Sequence, residues 1–391
     1  MDMASSLILI ANPGSASRKY ALFADQRPRA TLHFEWQDSA VICTLRRGSE
    51  QHAIPTTIPK LEVAASEVIS LLHAQGVLKK TEQIDRIGLR IVAPGSYFLR
   101  DHVVDDDFAA RLQAAESRAP LHITATLHEL QTLREQFKTA TIMGISDSAF
   151  HASKPDYAWN YGISLALADQ HDIKRFGYHG LSVASVVHTL LKAEKLSPKL
   201  VVCHLGSGVS VTAVHGGKSI DTTMGYSPLE GVIMSTRSGS IDPTALRVLK
   251  EISNWDDDAV EKELNTNSGL LGLGGSGDVR ELLQREAAGD HNAHLALQTY
   301  VFSIQKAIGS MAAALGGLDT LVFTGTVGER SAPIRERIMD RLQYLDLLLD
   351  TEANEALVPD ITRLAVVSRL AHSKPVYVLP TDEAREMMHH F

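Results

Sequence analysis

Apolar residues along the chain fall into two patterns, short continuous runs and longer stretches that repeat with a helical period. Runs of four to six mostly apolar residues bounded by turn formers read as buried strands, at Leu7–Ala11, Ile87–Val92, Thr141–Ile145, Leu200–Leu205, Val209–Val214, Leu321–Thr324 and Val376–Leu379. The helical period marks Glu62–Gln75, Thr124–Phe137, Ser182–Lys195, Leu297–Leu315 and Pro333–Leu348, and Pro333 suits a first helical turn. Their interleaving predicts a mixed α/β protein. The acidic triplets Asp105–Asp107 and Asp256–Asp258 are placed at helix N-termini, where the helix dipole favours negative charge. His389-His390 reads as a frayed tail.

Composition narrows the class. The 391 residues allow two domains or three, and no linker rich in Pro, Gly or Ser separates them. Two cysteines, Cys43 and Cys203, are too few for a disulfide scaffold or a thiolate zinc cluster. With 38 basic and 46 acidic residues the formal charge is −8, which argues against nucleic acid as a partner. No run reaches the roughly 18 apolar residues of a membrane helix, and the start lacks the basic leader of a signal peptide. The expected location is the cytoplasm, with no membrane partner.

One layout occurs twice. Leu7–Ala11, the turn Asn12-Pro-Gly-Ser-Ala-Ser17 and a second apolar run to Phe23 match Leu200–Leu205, Gly206-Ser-Gly208 and Val209–Val214. Both read as hairpins with glycine tips, and two of them about 190 residues apart suggest lobes of related design facing a common cleft. Glycine lets an oxygen-rich ligand approach the backbone, and successive N–H groups in such a turn form an anion site. Asn12–Ser17, His204–Gly208 and Thr324-Gly-Thr-Val-Gly-Glu329 are therefore candidate phosphate cradles. A Gly-x4-Gly-Lys-Ser/Thr P-loop is absent, and no Gly-x-Gly-x-x-Gly follows the first strand.

More specific stretches are Asp221-Thr-Thr-Met-Gly-Tyr-Ser-Pro-Leu-Glu-Gly231, Ser235-Thr-Arg-Ser-Gly-Ser-Ile-Asp-Pro243, Ala119-Pro-Leu-His122, Asp147-Ser-Ala-Phe-His151, Arg175-Phe-Gly-Tyr-His-Gly180 and Ser268-Gly-Leu-Leu-Gly272. With Val378-Leu-Pro-Thr-Asp-Glu383, they make the chain resemble the acetate kinase family along nearly its whole length. The resemblance implies a two-lobed actin-like fold with a duplicated core. The lobes would be residues 1–147, with 385–391 packing back, and residues 148–384, the latter binding nucleotide and forming a homodimer. It also implies ATP-dependent phosphorylation of a short carboxylate, acetate or propionate, to an acyl phosphate, and the reverse.

That reaction sets its own physical demand. A carboxylate is already ionised at pH 7, so no base is needed to activate it. The obstacle is bringing it against the γ-phosphoryl group, since two unit charges about 4 Å apart repel by roughly 4 kcal/mol at an effective dielectric of 20. Charge neutralisation and in-line positioning are what the protein must supply.

By resemblance, Arg90 and Arg237 are the substrate and phosphoryl arginines, His179 donates to the moving phosphoryl oxygen, and His122 supports it. Asp147 matches the family's essential aspartate, read here as orienting an arginine or a metal-bound water. Val92, Leu121, Tyr178 and Pro228 match the pocket for the acid's tail. Asn12 and Glu383 match the positions associated with Mg²⁺ (or Mn²⁺), and Lys19 contacts ATP. His204, Leu205, Gly206, Ser207 and Gly208 are assigned to the phosphates. Asp278, Val279 and Arg280, with Thr326, Val327, Gly328, Glu329 and Arg330, fall on the adenosine side.

The chain departs from the family pattern in places. Leu89, Ala93 and Pro94 surround Arg90 where the family reads His-Arg-Val-Val-His-Gly-Gly, and Ala16, Ser207, Ser240, Thr326 and Arg330 are further changes. Tyr178 stands where Phe is common, and its hydroxyl needs a partner if buried. These departures leave open two alternatives: a catalytically impaired nucleotide- or acyl-phosphate-binding regulator, and a kinase of a larger or hydroxylated acid.

Overall fold

The computed structural model describes residues 6–14, 17–37, 40–357 and 363–391, without the side chains of residues 120–122. The chain divides into two compact units, residues 1–149 with 383–391, and residues 150–382.

The first unit is built on a sheet of strands β1 (Leu7–Pro13), β2 (Ser17–Ala24), β3 (Arg27–Gln37), β4 (Ala40–Arg47), β5 (Glu50–Ile54), β6 (Arg86–Ile91), β7 (His102–Val103) and β8 (Thr141–Ser146). Their order is β5-β4-β3-β2-β1-β6-β8-β7. The run Leu7–Ala11 is buried at every position, as a strand covered on both faces must be. Helices α1 (Val68–Ala74), α2 (Asp106–Ala114) and α3 (Pro120–Gln136) follow the helical periods, although Glu62–Gln75 opens as a 3₁₀ turn over Leu61–Glu67. Asp105 caps α2 by accepting from the Phe108 N–H at 2.8 Å, as its acidic triplet predicts.

The second unit carries β9 (Lys199–Leu205), β10 (Val209–His215), β11 (Lys218–Thr222), β12 (Thr320–Thr324), β13 (Ala365–Val366) and β14 (Val376–Val378), in the order β11-β10-β9-β12-β14-β13. Its helices include α4 (Leu165–His171), α5 (Gly180–Lys192), α6 (Pro243–Ser253), α7 (Asp257–Thr266), α8 (Gly269–Gly274), α9 (Val279–Ala287), α10 (His291–Ala314), α11 (Gly325–Arg330), α12 (Ala332–Met339) and α13 (Thr351–Glu355). Asp256 caps α7 through the Ala259 N–H.

The repeated layout in the sequence is a repeated topology. In the first unit β3-β2-β1 are antiparallel neighbours, and β1-β6-β8 continue in parallel. In the second, β11-β10-β9 are antiparallel and β9-β12-β14 parallel. Each glycine turn joins the first two strands of its set.

Three expectations change. The helix expected over Pro333–Leu348 ends at Met339; a 3₁₀ turn over Gln343–Leu345 follows, and Asp346 closes it with a left-handed φ of 61°. Thr324–Glu329 is not an open glycine turn but leads into the short helix α11. The C-terminus is not frayed: α14 (Glu383–Met388) buries Met387 and Met388, and the Phe391 ring lies under the Arg86 guanidinium at 5.4 Å. A Cβ on Gly88 would come 2.8 Å from the Ile10 and Ile145 side chains and 3.0 Å from that ring, so a larger residue at this strand position would crowd both the core and the tail. His390 hydrogen-bonds the Asp101 carboxylate.

Candidate active site

In the first unit, parallel strands deliver polar side chains at their C-terminal ends, the usual place for a site in such sheets. Asn12 lies near the end of β1, Arg90 near the end of β6 and Asp147 immediately after β8, with Ala11 beside Leu89 and Ile91 beside Ser146 in the ladders. The Asp147 N–H extends the last ladder by donating to the Ile91 carbonyl at 2.9 Å. Arg90 Nη2 then donates to Asp147 Oδ2 at 2.9 Å and Nη1 to Asn12 Oδ1 at 3.1 Å. Asn12 Nδ2 donates to Glu383 Oε2 at 2.7 Å, and that oxygen lies 3.6 Å from Arg90 Nη1.

Asp147 is fully buried, so its charge depends on this pairing. Burial pulls the Arg90 guanidinium toward neutrality, but the charges of Asp147 and Glu383 and the Asp147 hydrogen bond together raise its pKa. Two carboxylates against one guanidinium leave a formal charge of −1. With Asn12 they make a set of hard oxygen donors, which fits a magnesium-like cation that retains several waters.

Other expected residues of this unit flank the cluster in sequence or in the ladder, or lie outside the described residues. Val92 follows β6 half-buried. Lys19 pairs with Asn12 across the β1–β2 ladder but is exposed, and its charge falls on His33, whose pKa is lowered by burial and then by Lys19. Leu89 and Ala93, where the family pattern has histidines, are buried in the apolar core. Leu121 and His122 lie on α3, and their side chains are outside the described residues.

In the second unit the hairpin of β9 and β10 turns at Gly206–Gly208, with the Gly206 N–H donating to the Gly208 carbonyl at 3.0 Å. A Cβ on Gly208 would sit 3.1 Å from His179 Nε2 and 3.5 Å from Arg237 Nη1, so an arginine and a histidine converge on this glycine. His179 Nδ1 lies 3.1 Å from Ser210 Oγ, and its ring centroid 4.2 Å from that of His204, whose Nδ1 is 2.7 Å from Ser182 Oγ. Arg237 Nη1 reaches the Pro228 carbonyl at 3.4 Å. The buried Tyr178 hydroxyl donates to the Tyr226 carbonyl at 2.7 Å, which provides the partner its burial demands.

His179 holds a left-handed φ of 61°, a conformation rare for a residue with a Cβ and one that must be imposed by its surroundings. The fully buried His151 contributes: its Nε2 donates to the Tyr178 carbonyl at 2.9 Å, and its Nδ1 lies 2.9 Å from Ser219 Oγ. His151 stands in the Asp147–His151 motif with no role legible there, and Ser210, Ser219 and Ser182 carry no functional mark in the sequence. Nothing local in the sequence marks a serine that orients a histidine from another strand.

The adenosine-side candidates at the start of α9 are tied to the glycine turn by Ser235. Ser235 donates its N–H to the Ser207 carbonyl at 3.2 Å and its hydroxyl to the Gly277 carbonyl at 2.6 Å, tying the glycine turn to the start of α9. Asp278 caps α9 through the Arg280 N–H at 2.8 Å and pairs with the exposed Arg280 side chain, whose hydrogen bond lowers the Asp278 pKa. Val279 is buried beneath them. On α11, Gly328 is buried, Thr326 and Arg330 are exposed, and Val327 and Glu329 are intermediate.

Comparison with known proteins places this arrangement. A family profile described as the Acetokinase family matches residues 7–389. Among curated relatives, acetate kinases from Bacillus mycoides and Bacillus cytotoxicus are 36% and 35% identical, covering 97% of this chain and 96% of each relative. Among solved structures, a propionate kinase from Francisella tularensis superposes with a TM-score of 0.87 at 30% identity over 98% of both chains. Porphyromonas gingivalis acetate kinase gives 0.84 at 30% identity, covering 99% of this chain and 98% of that one. The mixed α/β architecture with its two sheets is the actin-like fold expected from the sequence.

Proposed function

The chain belongs to the acetokinase family, phosphotransferases with a carboxyl acceptor, and from that premise we propose that it moves the γ-phosphoryl group of ATP to acetate or propionate, reversibly. The observation that carries the chemistry is the convergence of His179 and Arg237 on Gly208, within 3.5 Å of where a Cβ would stand. A glycine turn offers N–H groups to phosphate oxygens, and the two side chains beside it supply positive charge and a hydrogen-bond donor to the group in flight.

Arg90 acts on the carboxylate. Its guanidinium is held by Asp147 and Asn12, and a planar fork fixed in this way presents its charge without further ordering. Asp147 thus orients an arginine and takes no proton, because an ionised carboxylate nucleophile has none to give. Glu383, Asn12 and Asp147 are the oxygen donors that would hold Mg²⁺, directly or through water; when bound, the ion neutralises phosphate charge.

In the second unit the acid's tail would meet apolar surface at Tyr178 and Pro228. Because the Tyr178 hydroxyl is engaged by Tyr226, the ring presents carbon to a ligand, which favours an unsubstituted short acid over a hydroxylated one. Pockets of this kind separate a methylene by only about 1–3 kcal/mol, so acetate and propionate are both expected as substrates.

A homodimer through the second unit belongs to the same reading. Helix α6 has no buried residue, yet Val248 and Ile252 lie on one face four residues apart, and Ile252 is 76% exposed. Light scattering of the purified protein tests it. A cytoplasmic location belongs to the same reading and is supported by two free, buried cysteines; among the described residues no helix is long and apolar enough to cross a membrane.

Trapping acyl phosphate with hydroxylamine tests the central assignment. With ATP and magnesium, C2 and C3 acids are expected to give product and longer or hydroxylated acids less. Nucleotide binding without product from any short acid would favour the regulator reading, for which the comparisons offer no support.

A further inference from the structure

Arg335, on α12, is 1% exposed, and every bond described for its guanidinium goes to a neutral oxygen. Nε donates to Asn354 Oδ1 at 2.7 Å and Nη2 to the Asn354 carbonyl at 3.0 Å. Nη1 donates to the carbonyls of Gly328 and Glu329, both at 2.9 Å. Burial brings its pKa down to about 10, still far above neutrality, so it is a cation solvated by backbone. An interior cation is costly and is ordinarily matched with an acid, so its position calls for a reason.

The carbonyls it holds explain the position. Gly328 and Glu329 lie in the last turn of α11, where helical carbonyls lose their intrahelical partners. A continuing helix would need an N–H from residue 333 to serve Glu329, but Pro333 has none. Arg335 reaches back to both carbonyls in its place. Asn354 extends the tie, its Nδ2 donating to the Ala332 carbonyl at 3.1 Å, so α11, α12 and α13 meet at one point.

The opposite side of α11 is fixed against the phosphate hairpin. Gly325 has a φ of 77°, and a Cβ there would lie 2.7 Å from the Leu205 carbonyl oxygen. Gly328 also faces Leu205, its Cβ position lying 3.5 Å from that of Leu205. Leu205 immediately precedes the Gly206–Gly208 turn. Helix α11 is therefore gripped from behind by Arg335 and pressed in front onto the strand end that carries the phosphate turn.

We propose that Arg335, completed by Asn354, is a positioning residue for nucleotide: it sets the distance between the adenosine-side helix α11 and the phosphate turn at Gly206–Gly208. The proposal rests on the nucleotide reading of both segments. Arginine is required because a planar fork serves three directions at once, whereas a lysine ammonium can satisfy the α11 carbonyls or Asn354 but not both sets.

The test compares Arg335→Lys and Asn354→Ala in the full chain with wild type, measuring the KM values for ATP and acetate. Binding of ATP and of inorganic tripolyphosphate, which lacks adenosine, is followed by calorimetry. The lysine variant is expected to raise the KM and Kd for ATP about tenfold or more, as a displacement of about 1 Å does elsewhere, and Asn354→Ala to do so less strongly. Tripolyphosphate affinity and the acetate KM stay within twofold of wild type. Equal weakening of ATP and tripolyphosphate, a parallel rise in the acetate KM, or no change in ATP binding would each overturn the clasp. Should Arg335→Lys fail to fold, Asn354→Ala, which keeps the bonds to α11, carries the same comparison. Wild-type protein that binds tripolyphosphate but gains nothing from adenosine would instead defeat the nucleotide reading itself.

Discussion

Asp147 holds Arg90 from a position with no solvent exposure, Oδ2 lying 2.9 Å from Nη2, while its own N–H bonds the carbonyl of Ile91, the residue after Arg90. The aspartate thus grips both the side chain and the strand that carries it. Replacing Asp147 with Asn removes the charge and leaves the shape. Stability is expected to fall by on the order of 3 kcal/mol, the cost of breaking a buried pair. Turnover should fall about 100-fold or more as the guanidinium loses its orientation. Urea melts and steady-state kinetics on one preparation check both, and unchanged kinetics would remove Asp147 from the site.

What the sequence made legible follows physical range. The buried runs Leu7–Ala11 and Leu200–Leu205 are dictated by local hydrophobicity, and both became central strands. The repeated hairpins were legible for the same reason, because glycine between apolar runs is a local signal. Thr324–Glu329 misled because its glycines look like a loop, whereas Gly325 is glycine for want of room against Leu205. The tail misled because two terminal histidines carry no mark of Asp101, which lies 289 residues away. Arg335 and His151 were invisible as site supports, since Arg335 serves mostly backbone carbonyls and His151 a carbonyl and a serine from distant segments, which no residue type announces.

Gly208 admits a sharper test of the second unit. A methyl group there would stand 3.1 Å from the His179 ring, closer than an ordinary contact, so the imidazole must give by a few tenths of an ångström. Gly208→Ala is expected to cut kcat about tenfold or more while leaving the melting temperature nearly unchanged, since the turn is at the surface of the hairpin. A variant with wild-type kcat would show that the ring near Gly208 takes no part in turnover.

The C-terminal tail gives a pH signature. The hydrogen bond to Asp101 raises the His390 pKa; burial opposes this, and the charges of Asp101 and Glu386 add to the rise. A histidine raised above its unfolded value of about 6.5 stabilises the fold fully below that pH and loses the contribution as pH climbs through the folded value. Melting temperature should therefore drop between pH 6 and 9 more steeply in wild type than in Asp101→Asn. Identical slopes in the two proteins would detach His390 from Asp101.

Glu129 adds a second dependence, at lower pH. Its carboxylate accepts from the Tyr20 hydroxyl at 2.7 Å and lies 4.0 Å from Arg18 Nε, in a setting 1% exposed. Burial pushes its pKa up to about 7, against the opposing pull of the Tyr20 hydrogen bond and then of Arg18. Between its unfolded value near 4.3 and this folded value, the native state keeps a proton that the unfolded chain has released. Native stability from this residue thus falls as pH rises through that window and levels off above it, the reverse of the usual paired carboxylate. Glu129→Gln cannot ionise, so the stability of wild type relative to the variant should decline by roughly 3 kcal/mol from pH 4.5 to 7.5. Urea melts of both proteins at half-unit intervals measure the difference directly. A difference that grows with pH would mean that Arg18, not burial, governs this carboxyl group.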